Sequence, residues 1–151
     1  MKMSLQDWLK NGWLADHKTS PDEIADLLSV IDRDLNDCQT SSISPDWRLS
    51  IAYNAALQVA VAGLAAMGYR PGREAHHYRT IQSLAYTLRT DSTTIAQLDA
   101  FRKKRNISDY ERAGSVTDIE ANEMISLALK LRKELLQWLK KEHPEFMPEG
   151  Q

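Results

Sequence analysis

From residue 51 to residue 67 the chain reads IAYNAALQVAVAGLAAM, a run without one charged side chain. A helix that is apolar on every side has no face to offer water, so it must lie inside a protein or inside a membrane. This run of 17 residues is rich in Ala and Gly, and it falls short of the roughly 20 apolar residues a membrane span needs. It therefore predicts a central helix on which several neighbours pack closely. Ser44-Pro45-Asp46 supplies the start signal and Gly68 the stop. Tyr53, Asn54 and Gln58 are its polar side chains, and each needs a hydrogen-bond partner once buried.

The remaining segments read as helices that cover this one. Ser20-Pro21-Asp22-Glu23 combines a capping box with proline at the first helical position. Ile24, Leu27, Leu28, Ile31, Leu35 and Cys38 follow at three- and four-residue spacing, which leaves Asp26, Asp32, Arg33 and Asp37 for solvent. Cys38 reads as a small core residue. After the break GYRPGRE, a helix over 74 to 89 carries His77, Ile81, Leu84, Ala85 and Leu88 on one stripe. Asp91 and Ser92 start the next helix, which ends near Ala113-Gly114. A second capping box, Thr117-Asp118-Ile119-Glu120, opens a last helix to about Glu142, with Ile125, Ala128, Leu129, Leu135, Leu136 and Leu139 apolar. Pro144 and Pro148 stop it and leave a tail over 143 to 151.

At the other end, residues 4 to 14 form a short amphipathic helix capped by Ser4, with Trp8, Leu9, Trp13 and Leu14 apolar. A packed arm is the simpler reading of its tryptophans, and anchorage of a partner is the other. No strand pattern or repeat is evident. The fold expected is a single all-α domain, an up-and-down bundle of four principal helices over 20 to 142 plus the short N-terminal one. The amino-terminal residues are too polar for a signal peptide, so the protein reads as cytoplasmic, without a membrane segment.

The net charge of −2 conceals an uneven distribution. Residues 1 to 69 carry five basic and nine acidic side chains, residues 70 to 112 nine and five, and residues 113 to 151 five and seven. A basic middle third can attract phosphate, or it can be neutralised within the fold.

Within that third, FRKKRNISDY at 101 to 110 turns a core-facing line polar. Ile95 and Leu98 define an apolar stripe that Arg102, Asp109 and, more obliquely, Arg105 and Asn106 continue. A buried guanidinium stays charged and must be paired. Lys103 and Lys104 point toward water. An antiparallel hairpin through the short loop 89 to 92 sets Leu88 opposite Ile95, Leu84 near Leu98, Ile81 near Arg102 and His77 near Asn106. His77, Arg102, Arg105, Asn106 and Asp109 should therefore cluster, with Tyr78 or Tyr110 at the edge. The cluster has a structural reading, in which Asp109 neutralises Arg105 one turn away and Asn106 and His77 satisfy their neighbours. It also has a functional one, in which Arg side chains grip phosphate and His77 moves protons. These residue types suffice for metal-free cleavage of RNA through its 2'-hydroxyl, with guanidinium stabilising the pentacoordinate phosphate. His76 and His77 diverge by about 100°, so no metal site is expected.

Three elements of this pattern resemble the HEPN superfamily of small helical domains in bacterial defence and toxin–antitoxin systems. They are the alanine-rich helix ending in Gly68-Tyr69-Arg70, the following Ala75-His76-His77-Tyr78, and Arg105-Asn106 within KRNISDY. The likeness covers roughly residues 50 to 140. HEPN nucleases are marked by Arg, usually followed by a polar residue, and by His after an interval of four to six positions from that Arg. Arg105 and Asn106 match, while Tyr110 stands where His is expected. The resemblance implies a homodimer whose paired motifs line one cleft, RNA or nucleotide as ligand, no cofactor, and a nucleotidyltransferase antitoxin as partner. Combined with the cluster read from the helix faces, it places His77, Arg105 and Asn106 in catalysis and Arg102, Arg105 and Tyr110 on phosphate. Tyrosine, with a pKa near 10, is a poor base at neutral pH. Either His77 supplies the imidazole from the adjacent helix, or the domain binds without cleaving. The reading from another class is an interaction module in which the polar cluster is structural and Trp8, Trp13 or Trp138 meets a partner.

Overall fold

The computed structural model describes residues 3 to 73, 76 to 110 and 114 to 147, with 107 to 110 described as backbone. Six helices and one two-stranded ladder are formed among them: α1 (Leu5–Lys10), β1 (Leu14–Asp16), α2 (Pro21–Asp37), α3 (Pro45–Ala66), β2 (Tyr69–Pro71), α4 (His77–Gln82), α5 (Ser92–Tyr110) and α6 (Asp118–Glu142). The protein is mostly helical, as the sequence predicts.

Helix α3 is the uncharged run, short of Met67, with the six residues from Pro45 to Ser50 added at its start. The Ser44 hydroxyl accepts from the Trp47 amide at 3.3 Å, and Pro45 takes the first position. At 22 residues this helix is long and apolar enough to cross a membrane, so the length expectation fails; 78% of its most apolar window is instead buried by the rest of the chain. Its neighbours are α2 and α6 along its length, with α5, α4 and β2 covering the remainder. Gly63 makes one of these approaches close. A Cβ there would lie 3.1 Å from Thr87 Oγ1 and from Leu88 Cδ1.

The apolar stripes of α2 and α6 face this helix. Ile24, Leu28, Ile31, Leu35 and Cys38 are buried on one side, and Met124, Ala128, Leu131, Leu135 and Leu139 on the other. Burial pushes the Cys38 thiol up to about 11, so it stays protonated and inert. Leu129, expected in the core, is exposed because it sits about 100° from the stripe through Ala128 and Leu131. Polar ties fasten the helices to one another. Arg132 Nε donates to Asp32 at 2.5 Å, so this acid, still partly open to solvent, also ties α2 to α6. Arg48 donates to the Cys38 carbonyl and to Asn122, and the Asp46 carboxylate accepts from the amides of Gly114 and Val116.

Two segments depart from the helices predicted for them. The first helix stops at Lys10 instead of 14, and Gly12 turns the chain at φ +80° into β1. β1 pairs antiparallel with β2, Leu14 opposite Pro71 and Asp16 opposite Tyr69, so strand is present where none is expected. Trp8 is 3% exposed and packs edge-on against Trp13 and Tyr86 at 5.6 and 5.1 Å. The Arg79 guanidinium covers the Trp13 ring at 3.6 Å, and the N-terminal tryptophans thus belong to a packed arm.

The second departure is the helix expected over 74 to 89, whose residues 74 and 75 lie outside the described ones. Helix α4 spans only His77–Gln82 and gives way to a 3₁₀ turn at Ser83–Ala85. Ser83 Oγ donates to the Thr80 carbonyl at 2.6 Å and Thr87 Oγ1 to the Ser83 carbonyl at 3.3 Å. Such side chains compete with the backbone for its carbonyls. Arg89, at φ +58°, then reverses the chain toward α5. Leu88 consequently lies outside any helix, and the Leu88–Ile95 step of a regular helical hairpin does not apply.

Candidate functional site

The side chains that α4 and α5 contribute meet over the middle of α3. His77 opens α4, and its Nδ1 lies 3.3 Å from the Tyr53 hydroxyl of α3, in hydrogen-bond contact. Tyr53 is 1% exposed. From α5 the Arg105 guanidinium lies 5.3 Å from the centre of the Tyr53 ring, and that of Arg102 lies 5.7 Å from the Tyr78 ring. Both are within reach for cation–π attraction. Arg102 Nε donates to Asp99 at 2.7 Å, and Lys103 Nζ approaches the same carboxylate at 3.6 Å.

His77, Arg102 and Arg105 therefore converge as expected. Asp99 is a carboxylate that sequence reasoning misses, although its three-residue spacing from Arg102 marks an adjacent pair on a helix. Asn106 is half-buried next to Arg105. Asp109 and Tyr110 belong to α5, and their side chains lie outside the described residues. Lys104 is not simply solvated: it pairs with Glu120 of α6 at 3.3 Å. Trp138 is partly buried, 4.7 Å from the His143 ring. The exposed tryptophan is Trp47, at 65%, which nothing in the sequence pattern singles out.

The electrostatics follow from this geometry. Burial, then the Arg105 and Arg102 guanidiniums, hold the His77 imidazole below its ordinary value, so it is neutral at pH 7. Burial pushes the Tyr53 phenol up to about 12, against the opposing pull of the same two arginines. Near pH 7 the site thus pairs a neutral imidazole and a protonated phenol with two guanidiniums, of which that of Arg102 is held by the Asp99 carboxylate. The phenol can donate to Nδ1, or Nδ1–H can donate to the phenol oxygen, which leaves the Nε2 lone pair as a base. Among the described residues no three His, Cys, Asp or Glu side chains converge as metal ligands would.

Searches against family models, curated proteins and solved structures found no match to this chain.

Proposed function

We propose that this protein is a HEPN-like domain, four principal helices running up and down with α3 at the centre, that binds RNA or a nucleotide by its phosphates. The observation that carries this reading is the convergence of Arg105 and His77 on Tyr53, with the Arg102 guanidinium alongside over Tyr78. Two guanidiniums offer bidentate contacts to phosphate oxygens. A neutral imidazole whose Nδ1–H is held by the Tyr53 oxygen can take the proton of a ribose 2'-hydroxyl at Nε2, and the arginines can stabilise the charge that develops on phosphorus. In this reading Asn106 orients the phosphate, the protein is a cytoplasmic homodimer, and it works in a defence or toxin–antitoxin setting beside a nucleotidyltransferase. Cleavage, where it occurs, needs no metal.

The test is binding of labelled single-stranded RNA followed by fluorescence anisotropy, with a parallel cleavage assay in EDTA. Arg102→Ala is expected to weaken binding and to lessen its salt dependence, because a phosphate that no longer meets a cation keeps its counterions, which reduces the salt slope by about one. Cleavage is expected to survive chelation and to vanish in His77→Ala. RNA affinity unchanged in a folded Arg102→Ala protein would reject the reading.

A second reading, an interaction module with a structural cluster, is favoured by the Arg102–Asp99 pair, whose side chains are 21% and 13% exposed. Under that reading Arg102→Ala lowers stability and touches no ligand.

A further inference from the structure

Beyond the His77 cluster, Arg105 also lines a cleft of about 360 Å³ between α2, α3 and α5. Helix α3 supplies one wall with Trp47, Ser50, Ile51 and Asn54, positions spaced by three and four and so aligned on one face. Asp34 of α2 and Arg105 of α5 stand across from it. Asp34 is 6% exposed. Its Oδ2 accepts from Asn54 Nδ2 at 2.7 Å, and its Oδ1 accepts from Arg33 Nε and Nη2 at 3.2 and 3.1 Å.

We infer that this cleft holds a nucleobase of a bound RNA strand, stacked on Trp47 and read at its edge by Asp34 and Asn54. The inference rests on the phosphate-binding reading above and deepens it. Trp47 presents a large aromatic face to solvent at the rim, the feature that single-stranded nucleic acids exploit by stacking. The amide of Asn54 is fixed by its bond to Asp34, which leaves the amide oxygen and the second lone pair of Asp34 Oδ2 as acceptors where the two walls meet. Acceptors select bases that present donors on the Watson–Crick edge, guanine through N1–H and its amino group and adenine and cytosine through their amino groups, and disfavour uracil, which offers only N3–H. The charge balance argues against a cationic peptide as occupant. Arg33 already neutralises Asp34 and Arg105 lies on the far wall, so the cleft meets an anionic strand better than a lysine or arginine side chain. Spacing agrees as well. Trp47 and Asn54 are about 10 Å apart along the helix axis, the reach of one nucleoside, and Tyr53 beside Asn54 leads on to His77.

The experiment compares short labelled oligo(A), oligo(C), oligo(U) and an abasic ribose-phosphate strand by anisotropy, on the full chain and on Trp47→Ala and Trp47→Phe. Trp47 is mostly exposed, so neither substitution threatens folding, and circular dichroism verifies this. Wild-type protein is expected to bind oligo(A) and oligo(C) more tightly than oligo(U), and the abasic strand least. Trp47→Ala is expected to lose about tenfold on oligo(A) and nothing on the abasic strand, while Trp47→Phe retains most of the affinity. Equal affinity of wild type for abasic and base-bearing strands, with binding still weakened in Arg102→Ala, would overturn the base cleft and leave the phosphate reading standing. No binding of any strand would overturn both. Binding of an arginine-rich peptide that Trp47→Ala abolishes, in place of RNA, would also overturn the cleft as a base site.

Discussion

At the scale of single residues, the decisive contact is His77 against Tyr53. Because the folded protein disfavours the imidazolium, the unfolded chain binds more protons than the native one below the ordinary histidine pKa of about 6.5. Stability contributed by the neutral ring is complete above that value and falls as the pH drops from it toward the lower folded pKa. Urea denaturation of wild type and His77→Gln between pH 8 and 5 checks this: the wild type is expected to lose more stability on acidification, and the difference to flatten in the variant. Several of these contacts can be read from the chain. Tyr53 and Asn54 stand out as polar side chains in an uncharged run, and their need for partners follows from burial alone. The identity of those partners does not. Asp34, three positions after Ile31, lies at the border of the α2 stripe among other acids at 32 and 37, and only the approach of α3 makes it the buried one. Helical spacing points to Asp109, one turn ahead of Arg105, as the acid of the cluster, whereas Arg102 turns back to Asp99.

At the scale of elements, capping and punctuation are informative and short segments are not. Ser20, Ser44 and Thr117 cap α2, α3 and α6; the reciprocal bond of a capping box is made at Thr117 by Glu120, whereas the Glu23 carboxylate, expected to close the box at Ser20, bonds His17 instead. Gly114 takes φ +81°, a conformation glycine adopts readily, while the approach to the helix end expected near Ala113-Gly114 lies outside the described residues. The three-residue strands β1 and β2 escape notice because a period of two cannot be recognised in Leu14-Ala15-Asp16 or Tyr69-Arg70-Pro71. Gly72 closes this ladder, donating its amide to the Trp13 carbonyl at 2.9 Å, and a Cβ on it would run into the Gly12 carbonyl. Since that obstacle is backbone, Gly72→Ala is expected to cost about 1–3 kcal/mol. A melting curve should drop by roughly 2–4 °C for each kcal/mol. Gly12→Ala meets no neighbour within 4 Å, but its φ of +80° disfavours any L side chain.

For the whole molecule, the uncharged run already determines the plan: one interior helix and a surrounding set of amphipathic ones. What composition does not say is how the charges settle. Within the basic third, Arg102 and Lys103 pair with Asp99, and Lys104 pairs with Glu120 of the last third. The core is also divided in a way no periodicity reveals. Most buried residues form one cluster, while Leu5, Trp8 and Leu14 form a second that includes Leu64 of α3. Leu64→Ala is expected to cost about 2–5 kcal/mol and to loosen α1 and β1 first. Amide exchange in residues 5 to 16 should accelerate more than exchange in α2 or α6. The ladder that holds this smaller cluster joins Leu14 to Pro71, so α2 and α3 lie entirely inside the chain loop it closes. Closing a loop of that size consumes entropy before three residues of strand can return it. Helices α2 and α3 are therefore expected to pair ahead of the ladder in the folding transition state, so that the N-terminal arm joins after them and leaves before them.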